Sequence, residues 1–204
     1  MIDVESLLTY EKMYLDRGCR YICGVDEVGR GPLAGPVTVA AYVTDFSRLT
    51  EGVNDSKKLS EKKREKLFSE LKDKAVCYNV VSLDNNVIDK INILNATKQA
   101  MKQAIEGLTV KPDVVLIDAV ELDIPYRTHS IIRGDALSYS IAAASIVAKV
   151  TRDRFMTELD AVFPEYGFAS NKGYGSKKHI EALLKYGPTP LHRKTFIRNF
   201  VKDE

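Results

Sequence analysis

Tryptophan is absent from this 204-residue chain, and cysteine and histidine number only three each. The cysteines, Cys19, Cys23 and Cys77, are odd in number and form no C-x-x-C pair. That excludes a disulfide scaffold or zinc knuckle as the organising principle, and a reducing cytoplasm is the expected setting. No apolar run approaches the ~20 residues needed to span a bilayer, and the opening MIDVESLLTYEK has acids where a signal peptide is basic. Neither an internal repeat nor a low-complexity linker interrupts the chain. A net charge is nearly missing too, since 30 basic and 28 acidic residues leave +2. What remains is the balance of an ordinary globular protein, 45% hydrophobic and 28% charged. A chain of this length buries roughly 70% of its unfolded surface and builds its own core. A single domain over 1–204 is expected, as a monomer, with a basic helical C-terminal extension from about 165 to 204.

The charge is unevenly spread. Between Phe168 and Lys202 the bases are Lys172, Lys177, Lys178, Lys185, Arg193, Lys194, Arg198 and Lys202, against the single acid Glu181, so 8 − 1 = +7. Phe168, Tyr174, Tyr186, Phe196 and Phe200 are interleaved with them. A phosphate backbone with stacked sugars or bases selects this mixture. A solvated basic helix face has the same composition, so charge alone does not separate the two.

Apolar periodicity predicts helices over 6–17, 60–72, 93–106 and 137–159, with Ser60 as an N-cap and stops near Gly18 and Gly107. Strands are predicted over 21–25, 35–43, 75–83, 114–117 and 127–131. The first half of 137–159 is apolar around most of its circumference, the mark of a buried helix. The early strands are joined by turns too short for crossovers. The fold class is therefore α/β, a mixed central β-sheet flanked by α-helices.

Four acids sit where a solvated surface does not explain them. Asp26 and Glu27 follow the apolar Ile22-Cys23-Gly24-Val25, Asp118 ends the apolar run Val114 to Ile117, and Asp135 opens the buried helix. Open α/β sheets place ligands at such strand ends. Buried carboxylates are costly unless paired or metal-bound, and converging ones repel. Hard oxygen ligands suit Mg²⁺ or Mn²⁺. A helix N-cap for Asp135 and a turn cap for Asp118 stand as the plainer alternatives.

These residues fall in recognisable blocks. The run GVDEVGRGPLAGP, Gly24 to Pro36, resembles the opening signature of the type 2 ribonuclease H family, the ribonuclease HII enzymes. The resemblance continues through Asp55-Ser56-Lys57-Lys58-Leu59, Leu116-Ile117-Asp118 and Gly134-Asp135. It extends through the run SIAAASIVAKV, Arg152-Asp153, Asn171-Lys172-Gly173-Tyr174-Gly175 and His192-Arg193. It implies a ribonuclease H-like fold and an endonuclease that cuts RNA–DNA hybrids and single ribonucleotides embedded in duplex DNA. It also implies a two-metal Mg²⁺ or Mn²⁺ site on Asp26, Glu27, Asp118 and Asp135. The ribose-reading Gly-Arg-Gly element maps onto Gly29, Arg30 and Gly31, and the junction-reading tyrosine onto Tyr174. Lys57, Lys58 and Lys172, with Lys177 and Lys178, would position the duplex through phosphates. Lys149 would reach phosphate or pair with a buried acid. Only 25 residues precede Asp26, which disfavours the sister ribonuclease HIII family with its extra N-terminal domain. Val28 and Ala119 depart from the family pattern of alanine and glycine, and Ala119 matters if its backbone needs positive φ. The competing readings are another nuclease of the same superfold, such as a junction resolvase, and a non-catalytic nucleic-acid-binding module. No clear clamp-binding motif marks the C-terminus.

Overall fold

A computed structural model describes residues 4–201. Five strands form one sheet: β1 (Ile22–Val28), β2 (Val37–Val43), β3 (Cys77–Leu83), β4 (Val114–Asp118) and β5 (Thr128–Ile131), in the order β3-β2-β1-β4-β5. β1, β2 and β3 pair antiparallel, while β1–β4 and β4–β5 are parallel. This is the predicted mixed sheet.

The helices are α1 (Thr9–Leu15), α2 (Glu61–Lys74), α3 (Asn85–Ile91), α4 (Ile93–Glu106), α5 (Tyr139–Asp160), α6 (Phe168–Asn171), α7 (Lys177–Tyr186) and α8 (Lys194–Ile197). Helix α5 covers one face of the sheet and packs with α2, burying Ala40, Tyr42, Leu71, Ala143 and Val147 together. Helix α4 covers the other, where Met101 and Ile105 meet Cys23, Val25 and Val39. Small residues let α5 approach closely. A Cβ on Gly24 would stand 2.0 Å from the Ser140 carbonyl carbon, so only glycine permits this crossing.

Three differences from the predicted elements have physical causes. β1 runs to Val28, so Asp26 and Glu27 lie within the ladder, opposite Ala40 and Val39. Helix α3 was not expected; Asp84 starts it by accepting the Val87 amide at 2.9 Å. Asn92, at φ +64°, then breaks the chain and caps α4 by accepting the Asn95 amide at 3.0 Å. The first helix is shorter than 6–17, because a 3₁₀ turn (Val4–Leu7) precedes α1. That helix carries a fifth misplaced acid, the fully buried Glu11. Its carboxylate accepts the Ser138 hydroxyl at 2.6 Å and the Ser140 amide at 2.9 Å, tying α1 to the start of α5.

Candidate active site

Parallel pairing of β1 with β4 creates the site. Val25 stands opposite Ile117, so one residue further Asp26 comes beside Asp118. Asp135 arrives from the 3₁₀ turn Gly134–Ala136, entered through Arg133 at φ +57°. The turn is fastened to β4, since the Gly134 amide donates to Asp118 Oδ1 at 2.6 Å. Thus Asp118 caps a turn as well as joining the cluster, whereas the N-cap of α5 is Ser138, not Asp135. Carboxylate oxygens of Asp26, Asp118 and Asp135 all lie within 4.8 Å of one another.

Glu27, as the next residue of the strand, leaves the pleat on the opposite side and stays outside that group of three. Its Oε1 faces Arg30 Nη1 at 3.4 Å, while its Oε2 is buried with no partner among the described residues.

The electrostatics follow from this crowding. Burial, then the charges of Glu27 and Asp118, push the Asp26 carboxyl well above the usual range. Glu27 is raised by burial despite the opposing pull of Arg30, and Asp118 is raised by burial and by Asp135. Lys57 Nζ lies 3.1 Å from Asp135 Oδ2. Burial works against that ammonium, but the hydrogen bond and the charges of Asp135, Asp26 and Asp55 outweigh it and raise its pKa. The three converging carboxylates form an all-oxygen donor set suited to a hard divalent cation, and beside it Glu27 keeps a buried oxygen without a partner among the described residues.

Two turns flank the cluster. Turn 29–31 is exposed at Arg30 and Gly31, and a Cβ on Gly31 would stand 3.7 Å from the ring of Tyr174. Tyr174 is 43% exposed, so its ring is presented and not packed away among the last helices. The turns are stitched together, because the amides of Leu33 and Ala34 both donate to the Gly173 carbonyl. Beneath them lie two fully buried arginines. Arg152, from α5, donates to the carbonyls of Pro36 (2.9 Å), Lys172 (2.9 Å) and Ala34 (3.3 Å). Arg193 donates to those of Gly29 (2.6 Å), Arg30 (2.9 Å), Gly35 and Pro36.

A buried histidine pair extends this scaffold. The Thr189 amide donates to His192 Nδ1 at 2.9 Å, which places the His192 proton on Nε2, 3.0 Å from His179 Nε2. His179 Nδ1 then donates to the Tyr174 carbonyl at 2.8 Å. Burial and the neighbouring His179 hold His192 down at about 4, and burial lowers His179 as well.

The lysines divide. Lys57, Lys58, Lys177 and Lys178 are exposed. The Lys172 ammonium, in contrast, is turned back onto Thr157 Oγ1 (2.8 Å) and the Ala169 carbonyl (2.6 Å). The Lys172 backbone is left-handed, at φ +52°. Arg193 is likewise internal and does not add to the basic surface, and Lys202 lies outside the described residues. Lys149 pairs with Asp153 at 2.8 Å, one helical turn on. Sequence reasoning missed the work of Arg152 and Arg193. A base in a helix apolar all round was the available signal for Arg152.

Fold and carboxylate cluster together define a nuclease of the ribonuclease H-like class. A family model described as Ribonuclease HII matches residues 23–200. A ribonuclease HII of Ruminiclostridium cellulolyticum is 54% identical over 98% of this chain and 78% of its own length. Another, from Caldicellulosiruptor bescii, is 52% identical over 97% and 96%. Among solved structures, ribonuclease H2 from Pyrococcus horikoshii superposes with a TM-score of 0.76 at 30% identity, covering 90% of this chain and all of that one. Ribonuclease HII of Archaeoglobus fulgidus, solved in complex with PCNA, gives 0.75 at 26%, over 90% of this chain and 98% of that one. The chain belongs to the ribonuclease HII family and is a type 2 ribonuclease H endoribonuclease. The readings as a junction resolvase or a non-catalytic module gain no support. No helix among the described residues is long and apolar enough to cross a membrane.

Proposed function

We propose that this protein cleaves the RNA strand of RNA–DNA hybrids and single ribonucleotides embedded in duplex DNA, with Asp26, Asp118, Asp135 and Glu27 holding two divalent cations. The observation that carries the reading is the convergence within 4.8 Å of three carboxylates, from the adjoining strands β1 and β4 and the turn 134–136. Held there, Mg²⁺ or Mn²⁺ supplies Lewis acidity, lowering the pKa of an attacking water and offsetting charge on the leaving 3′-oxygen. Asp26, central and buried, would hold the cations together with Asp118 and Asp135, and the orphaned Oε2 of Glu27 would offer a further oxygen donor. The amide of Gly134 keeps Asp118 in place.

Turn 29–31 meets the ribose on the 5′ side of the cut, where a 2′-hydroxyl distinguishes RNA from DNA. Tyr174 packs on the neighbouring deoxyribose. Exposed Lys57, Lys58, Lys177 and Lys178 engage phosphates without reading sequence. The segment 165–204 supplies the last two of these and serves as the duplex-binding extension. Because water and not the 2′-hydroxyl attacks, the products carry 3′-hydroxyl and 5′-phosphate ends. Extension of the cut strand by a DNA polymerase tests this directly. Extendable ends are expected, and ends blocked by a 2′,3′-cyclic phosphate would overturn the mechanism.

A further inference from the structure

Arg193 is fully buried, yet no carboxylate among the described residues forms an ion pair with its guanidinium, and Asp89 acts on it only through its charge. A buried charge is tolerated only when its donors are all satisfied. Here the acceptors are main-chain carbonyls, and two belong to residues 29 and 30. Nη2 donates to the Gly29 carbonyl at 2.6 Å and Nη1 to that of Arg30 at 2.9 Å. Nε and Nη2 meanwhile grip the Gly35 carbonyl at 3.0 and 2.9 Å, closing the base of the loop.

This grip has a geometric consequence. In a trans peptide the C=O and the following N–H point in opposite directions, and no peptide bond among the described residues is cis. Carbonyls drawn inward to Arg193 therefore turn the amides of Arg30 and Gly31 away from it. Both residues are exposed, and neither amide donates to any described residue. The chain thus presents two adjacent free donors beside Tyr174, while the carbonyls of the same peptides are already taken. We infer that Arg193 is a positioning residue for ribose recognition, orienting the peptides 29–30 and 30–31 so that their amides donate to the 2′-oxygen. The inference rests on the reading of turn 29–31 as the ribose reader.

Lysine at 193 keeps the charge but offers three donors from one point, and cannot span carbonyls on both sides of the loop. Glutamine removes the buried charge and keeps two donors. Binding is compared in full-length protein carrying Asp118→Asn, which prevents cleavage, with Mg²⁺ present. The probes are a fluorescent DNA duplex containing one ribonucleotide and its all-deoxy counterpart. Adding Arg193→Lys or Arg193→Gln is expected to reduce the preference for the ribonucleotide duplex by about tenfold. Affinity for the all-deoxy duplex, set by phosphates, should change by less than about twofold. If Asp118→Asn protein shows no preference to begin with, the ribose-reading role of the turn fails, and the inference with it. A preference retained in both double variants overturns the role of Arg193 alone. Parallel loss on both duplexes, or failure of both variants to fold by circular dichroism, makes Arg193 a fold residue and equally overturns it.

Discussion

Lys57 Nζ lies 3.1 Å from Asp135 Oδ2, so the carboxylate cluster carries a tethered cation of its own. The lysine side chain is 76% exposed while Asp135 is buried, so the ammonium can swing away when a divalent ion arrives. Its contribution is greatest without metal. Lys57→Met is therefore expected to lower the melting temperature of the metal-free protein and to enlarge the shift produced by Mg²⁺. Asp118→Asn should do the reverse: removing one repelling charge raises the metal-free melting temperature and shrinks the Mg²⁺ shift. Thermal melts with EDTA and with Mg²⁺ check both, and equal shifts in all three proteins would mean the cluster is not the metal site.

Protons compete with metal for the same oxygens. Asp26, Glu27 and Asp118 have folded-state pKa values above their unfolded ones. Their contribution to metal-free stability is thus complete below the normal carboxylate range and is lost as pH rises through the raised values. Metal restores stability only where the carboxylates are ionised. The Mg²⁺-induced rise in melting temperature should grow from pH 5 to pH 8. The depressed pKa values of His179 and His192 act oppositely, costing stability as pH falls below the usual histidine value toward about 4 for His192. That cost is common to both melts and cancels in the difference. A Mg²⁺ shift independent of pH would contradict the raised carboxylates.

Ala119 sits at φ +48°, directly after Asp118, where a side chain is strained. Glycine relieves that strain but adds unfolded-state entropy, leaving a net gain of about 0.5–1 kcal/mol for Ala119→Gly. The melting temperature should rise by about 1–4 °C. Cleavage should persist, because the backbone path is already the one glycine prefers.

Tyr174 is expected to read the sugar beyond the cut. Tyr174→Ala should lower cleavage at a single embedded ribonucleotide more than within a continuous hybrid, shifting the ratio by about tenfold. Tyr174→Phe should retain most of the packing. Equal losses on both substrates, with the fold intact by circular dichroism, would make Tyr174 a general support of the site.

Much of this arrangement was legible in the sequence because its signals are local. An acid directly after an apolar run is unusual wherever it occurs, so Asp26 and Asp118 stood out before any topology was known. Their meeting depends on the parallel β1–β4 pairing, which spacing does not encode. The hold of Arg193 on turn 29–31 was not legible, since Arg193 reads as one more base in a basic tail. Only packing shows that its partners, 29 and 30, are more than 160 residues away in the chain. The internal hydrogen bond of Lys172 was hidden for the same reason, its partner Thr157 lying 15 residues earlier, on α5. The missed helix α3 is short, and its capping by Asp84 looks in sequence like a loop.

The central claim is metal-dependent cleavage at ribose by the cluster built on Asp26. The most direct measurement incubates a DNA duplex holding one ribonucleotide with wild-type protein and with Asp26→Asn, each with Mg²⁺ and with EDTA, beside an all-deoxy duplex. Wild type should cut only the ribonucleotide duplex, at that residue, and only with Mg²⁺. Asp26→Asn should fall by on the order of 10³-fold or more while remaining folded. Cleavage in EDTA, cutting of the all-deoxy duplex, or a fully active Asp26→Asn protein would contradict it.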